Sequence, residues 1–185
     1  MLNLEGRRKI FHLLAISLWL IPLKFFPNWL ITFSFLFIII LNLLLVNRIG
    51  IKFLPTLYRI VLYFEREKNL QKPGIQALWA NLGIALGFLL FGKECAVVGV
   101  LLLAIGDAFA GFVGAKIGKL KLWEKTLEGF MAFFFSTFCV LYFFLGFEKA
   151  LVVSLIGATV ELLPLKLDDN FTLPVVGSFM CFALK

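Results

Sequence analysis

The feature that most constrains this chain is a succession of apolar runs, at Ile10–Phe26, Trp29–Val46, Gly74–Phe91, Cys95–Ala115, Thr126–Phe147 and Ala150–Leu165, with a shorter run at Leu173–Leu184. A hydrocarbon core needs about 20 such residues in a helix to cross it. Hydrophobic residues make up 62% of the 185 positions, 23 of them Phe, and the mean hydropathy is +1.00. No water-soluble domain of this size could hide that much apolar surface. The pattern predicts an all-α, polytopic integral membrane protein of about seven transmembrane helices, forming one membrane-embedded domain over residues 1–185. The last run is short for a crossing, so whether it fully spans is left open. Met1 to Lys9 with the run behind it looks like a signal peptide, but it lacks a small-x-small cleavage site and reads as a retained first helix. Cys95, Cys139 and Cys181 lie far apart in apolar surroundings without metal-ligand spacing, and read as buried free thiols.

Between the second and third runs, Ile49 to Glu67 carries Lys52, Arg59 and Arg66 at successive sevens. That stripe predicts an interfacial helix, started or kinked by Pro55. The net charge of +7 is not a nucleic-acid signal here, because in a membrane protein the distribution decides. With seven spans, 14 of the 18 basic residues fall on one side, and only Lys24, Lys93, Lys149 and Lys185 on the other. The bias places the amino terminus in the cytoplasm of a cell-membrane protein, and the carboxyl terminus outside.

The stretch Gly106-Asp107-Ala-Phe-Ala-Gly111-Phe-Val-Gly114-Ala-Lys-Ile-Gly118-Lys119 sets a carboxylate inside the fourth run. Ala110, Gly114 and Gly118, four apart, form a ridge for close helix packing, which leaves Asp107 unexplained. An ionisable residue there is costly unless it serves a polar cavity, an ion or a partner lysine. It suits a divalent metal or a substrate hydroxyl. No Walker phosphate loop is present, since Gly114 to Lys119 is one residue short and lacks the Ser or Thr that would hold magnesium.

Three other constellations fall on the same membrane face. Lys125-Thr126-Leu127-Glu128-Gly129 opens the fifth span, where free N–H groups, a positive dipole end and Lys125 make an anion site or an ordinary cap. Glu161 and the run Asp168-Asp169-Asn170 supply hard oxygen ligands of the kind magnesium shares with phosphates, or make a turn. Glu5-Gly-Arg7-Arg8-Lys9-Ile-Phe-His12 opens the first helix, with Arg8 and His12 on one face. Arg7 to Lys9 are a basic flank such as any first span carries, and His12 is the chain's one histidine. Converging bases and acids at an interface suit a magnesium-bound polyphosphate.

In order along the chain, RRKIFH, GDAFAGFVGAKIGK, KTLEGF and ELLPLKLDDNFTLP resemble the patches of the CTP-dependent lipid-alcohol kinases: dolichol kinase, phytol kinase and the yeast-type diacylglycerol kinase. The resemblance covers Arg7 to Pro174 and is specific only in combination. It implies a multi-helix enzyme moving the γ-phosphate of CTP to a long-chain alcohol at the cytoplasmic face, with a divalent cation such as Mg2+. It carries over to Arg8, Lys9 and His12, to Gly106, Asp107 and Gly118, to Lys125, Glu128 and Gly129, and to Glu161, Asp168, Asp169 and Asn170. The chain is shorter than the eukaryotic dolichol kinases and looks like their catalytic core.

In the resulting expectation, Asp107, Glu161, Asp168 and Asp169 are metal ligands, and Asn170 helps hold the nucleotide. Arg8, Lys9, Gly106, Gly111, Gly118, Lys119, Lys125, Thr126, Glu128 and Gly129 surround the phosphates. Asp107, His12 and Lys125 are the catalytic candidates, with Asp107 and His12 competing as base. The partners are a nucleotide and a membrane lipid alcohol rather than nucleic acid, and a homodimer is compatible with the sequence. The rivals are a cytidylyltransferase joining CMP to a lipid phosphate and a transporter of an anionic small molecule. Transport is disfavoured by the one-sided polar residues and the lack of internal repeats.

Overall fold

The computed structural model describes residues 4–49, 51–65 and 67–185, and is 82% helical with no barrel. Among the described residues, three stretches are long and apolar enough to cross a bilayer: Asn28–Val46, Ile75–Ile117 and Leu127–Leu145. The first run breaks instead into α1 (Leu4–Ser17) and α2 (Leu20–Phe25). Asn28–Val46 is α3. Leu127–Leu145 is α7, followed by α8 (Phe147–Leu162) and α9 (Asp169–Ala183). With 14, 16 and 15 residues, α1, α8 and α9 fall short of the usual spanning length. Large side chains such as Phe33, Phe37, Phe135 and Phe143 point outward, which suits lipid and not water.

The 43-residue stretch Ile75–Ile117 is the buried axis of the bundle. It comprises α5 (Ile75–Leu101), a π-helical segment (Leu102–Asp107) and α6 (Ala108–Ile117). At Gly92, φ is 82°, a left-handed conformation that glycine adopts without strain. The chain doubles back there: Gly87 before the break and Gly99 after it both lie against Ser178 of α9. The last helix therefore packs between the two arms. A Cβ added at Gly177 would come within 3.0 Å of the Gly99 Cα, so the seam requires small residues.

The same doubling corrects the reading of the cysteines. Cys95 and Cys181 form a disulfide with Cα atoms 5.3 Å apart, and the free Cys139 is exposed. Their separation of 86 residues concealed the pairing, because sequence distance is no guide to contact once a helix reverses.

The expected interfacial segment is shorter than Ile49 to Glu67. Within it α4 spans Pro55–Phe64, with Pro55 in its first turn and no buried residue. Arg66, part of the expected stripe, lies outside the described residues. The helix α4 docks on α1 through Phe64 stacked on Phe11, with ring centroids 4.3 Å apart, and Tyr63 accepting a hydrogen bond from Arg7. A small hairpin, β1 (Lys121–Leu122) and β2 (Lys125–Thr126), links α6 to α7.

Candidate functional site

A π-helical turn carries one more residue than an α-turn, and such bulges are frequent at functional sites. Here it ends on Asp107, aiming that carboxylate away from the α5–α9 seam and toward α1. Lys9 of α1 meets it, with Nζ 2.7 Å from Asp107 Oδ2 and 3.1 Å from the Asp107 carbonyl oxygen. The aliphatic stem of Lys9 passes over Gly111, where any Cβ would strike it. Gly111 is thus a cradle for a lysine side chain. Gly106 is buried against the Phe133 ring and stands behind the site.

One turn along α1, His12 places Nε2 3.9 Å from Asp107 Oδ2, beyond hydrogen-bond range. That nitrogen is buried and has no hydrogen-bond partner among the described residues. An orphaned buried polar atom calls for an explanation, and a missing substrate group is one. Arg8, on the same face, is held by Glu5 at 2.9 Å and by Gln76 at the start of α5 at 2.7 Å.

Facing this group is a second cluster. Lys125 Nζ lies 2.6 Å from Glu161 Oε1 and 2.8 Å from Asp169 Oδ2, and the Glu161 side chain is only 5% exposed. Burial works to lower the Lys125 pKa, but the Glu161 and Asp169 carboxylates outweigh it and the net shift is upward. Burial pushes the Asp169 carboxyl up despite the lysine beside it. Asp168 caps α9, its Oδ1 accepting from the Asn170 backbone N–H at 2.9 Å and from Asn170 Nδ2 at 2.6 Å. Thr126 caps α7 by accepting from the Gly129 N–H at 3.1 Å.

Both clusters line one cavity of about 1080 Å³ at one end of the bundle. From the first cluster it takes Arg8, Lys9, His12, Asp107 and Gly111. Lys125, Thr126, Gly129, Glu161 and Asp168 to Asn170 complete the far wall. Four of the expected residues stand off it. Gly106 and Gly118 are packing positions, the latter against Thr126, and Lys119 is exposed. Glu128 turns away from the cavity, accepting from the Lys119 and Leu120 N–H groups at 3.0 and 3.3 Å, and borders an apolar groove. Its pairing with the loop after α6 needs no phosphate.

Sequence reading missed Gln76, whose one signal is a lone amide opening an apolar run, and Trp123, which sits on the cavity rim.

Whether these residues suit a divalent cation can be judged from the donors. Two carboxylates, on Glu161 and Asp169, converge on a single ammonium and so face the same point of the cavity. Among the described residues no group of three His, Cys, Asp or Glu side chains gathers for a metal. Two carboxylates alone would hold a hard ion such as magnesium only with phosphate oxygens and water completing its shell.

The chain is 34% identical to an uncharacterised protein of Methanocaldococcus jannaschii, over 69% of this chain and 67% of that one. It is 27% identical to the CTP-dependent diacylglycerol kinase 1 of Saccharomyces cerevisiae, over 98% of this chain and 74% of that protein. With the dolichol kinase of the same yeast it shares 31% identity over 54% of this chain, which is 21% of that enzyme's length. No family model and no solved structure matches. The named relatives are lipid kinases, which together with the apolar helices supports a membrane lipid kinase at the level of the family. The chain is a distant homologue of dolichol kinase and of CTP-dependent diacylglycerol kinase, at 27–31% identity.

Proposed function

We propose that this chain transfers the γ-phosphate of CTP to the hydroxyl of a long-chain alcohol of the polyprenol, phytol or diacylglycerol kind. The single observation behind this reading is that two charged clusters, Lys9-Asp107-His12 and Lys125-Glu161-Asp169, face each other across one cavity at one end of an apolar bundle. A phosphorylated nucleotide and a lipid hydroxyl can meet there while the lipid tail stays in hydrocarbon. The excess of basic residues on this side supports a cytoplasmic site and amino terminus. Counting the two arms around Gly92 separately, the apolar runs make seven crossings, with α4 lying in the interface.

Glu161 and Asp169, with Asp168 beside them, would hold Mg2+. When bound, the ion neutralises phosphate charge. Arg8, Lys125 and the capped start of α7 bind and orient the polyphosphate. In this reading Asp107 fixes the Lys9 ammonium and sets a negative charge beside His12. The imidazole is the group free to take the hydroxyl proton as the alcohol oxygen bonds to the γ-phosphorus and the bond to the β-phosphate oxygen breaks, releasing CDP. Catalysis is mainly positioning and charge neutralisation.

The test is to give purified protein in liposomes Mg2+, each of CTP, ATP, GTP and UTP, and a panel of polyprenols, phytol and diacylglycerol, and to identify lipid products by mass spectrometry. The reading predicts a monophosphorylated alcohol with CTP. A CMP-linked lipid, formed only when lipid phosphates are supplied, would move the chain to the cytidylyltransferases.

A further inference from the structure

The hairpin between α6 and α7 turns through two loop residues, Trp123 and Glu124, with Lys121 paired to Thr126 and Leu122 to Lys125. Two-residue hairpin loops favour Gly, Asn or Asp where φ is positive. Trp123 has φ 55°, a conformation in which a bulky side chain is strained. Trp123 is 64% exposed. Packing therefore does not account for a large aromatic in a position suited to glycine. Strain of this sort persists where the surrounding structure holds it for a purpose, and it clusters at ligand sites.

The location supplies the purpose. Trp123 lines the same cavity as Lys125, two residues further on, whose ammonium lies between the Glu161 and Asp169 carboxylates. A polyphosphate held at Lys125 and the start of α7 has its nucleoside end directed away from the lipid hydroxyl. Phe112 and Trp123 are the aromatic residues lining the cavity, and Trp123, at the hairpin tip beside Lys125, is the more exposed. Every nucleobase presents a π-face, and stacking on an exposed aromatic ring raises affinity with little demand for a particular base.

We propose that the Trp123 indole is the stacking platform for the base of the bound nucleotide, held by the strained hairpin beside the phosphate-binding Lys125. The proposal rests on the nucleotide-dependent reading above. It makes Trp123 a binding residue with no part in proton transfer, so its loss acts on nucleotide affinity.

The backbone strain makes the test discriminating. Equilibrium binding of labelled CTP to the full-length protein in detergent, with Mg2+, is compared for wild type and the Trp123→Phe, Trp123→Ala and Trp123→Gly variants, alongside thermal melting. Glycine relieves the positive φ, so Trp123→Gly should melt at or above the wild-type temperature. The same variant should bind CTP about tenfold or more weakly, the Ala variant likewise, and the Phe variant within about threefold of wild type. Trp123→Gly binding CTP as wild type does would overturn the platform while leaving the kinase reading intact. Unchanged CTP affinity with weakened association to phospholipid vesicles would make the ring a bilayer anchor and overturn it equally. Failure of the wild-type protein to bind any nucleotide would sink both the platform and the reading beneath it.

Discussion

Lys9, in the first helix, reaches an aspartate 98 positions away: its ammonium lies 2.7 Å from Asp107 Oδ2 and also donates to the Asp107 backbone carbonyl oxygen. The two side chains are 14% and 17% exposed, so each charge depends on the other for compensation. This link ties α1 to the end of the buried axis and fixes one wall of the cavity.

Removing one partner strands the other. Lys9→Met should destabilise the protein by about 3–5 kcal/mol, because it leaves an unpaired buried carboxylate. The double variant Lys9→Met with Asp107→Leu should recover much of that loss, while activity stays down at least about 100-fold. Melting in detergent and an activity assay check the two halves. A double variant that regains turnover would show the pair to be structural only.

His12 is the neighbour whose Nε2 has no hydrogen-bond partner among the described residues. His12→Gln should keep the fold and the CTP affinity and lower kcat by about 100-fold or more, the range for loss of a positioned base. The acidic limb of the kcat profile against pH should go with it. Near-normal turnover in a folded His12→Gln would return the base to Asp107 or to water.

Much of this site was legible in the sequence, and its gaps have physical causes. Asp107 stands out because a carboxylate in an apolar run demands a reason. Glu161 and Lys125 are visible as charges flanking spans, although their ion pair joins positions 36 apart and only the packed bundle makes it. Glu128 was misplaced because an acid near a helix start looks the same in sequence whether it faces a ligand or ties down the preceding loop. The reversal at Gly92 lies where the sequence separates the runs Gly74–Phe91 and Cys95–Ala115, but the Cys95–Cys181 bond was missed, because hydropathy marks where helices are and is silent on which of them pack side by side. Trp123 was passed over because a tryptophan beside a membrane span is ordinary until its backbone conformation is known.

On the far wall, Lys125→Met and Asp169→Asn should raise the nucleotide or Mg2+ concentration needed for half-maximal activity about tenfold or more, and leave the dependence on lipid alcohol within about twofold. Chelating the divalent ion with EDTA should abolish turnover, with activity restored by excess Mg2+. Steady-state kinetics with each component varied in turn gives the answer. A selective loss of lipid affinity would mean that the nucleotide and lipid ends of the cavity are the other way round.

The central claim is that one cavity moves the terminal phosphate of a nucleotide onto a lipid alcohol. The direct measurement gives the purified protein Mg2+, a lipid alcohol and CTP labelled at either the γ or the α phosphate, and follows the label into the lipid fraction. The γ label should appear in the lipid with an equal quantity of CDP, and the α label should stay with the nucleotide. Transfer of the α label with release of pyrophosphate, or no transfer of either label to any alcohol offered, would contradict the account.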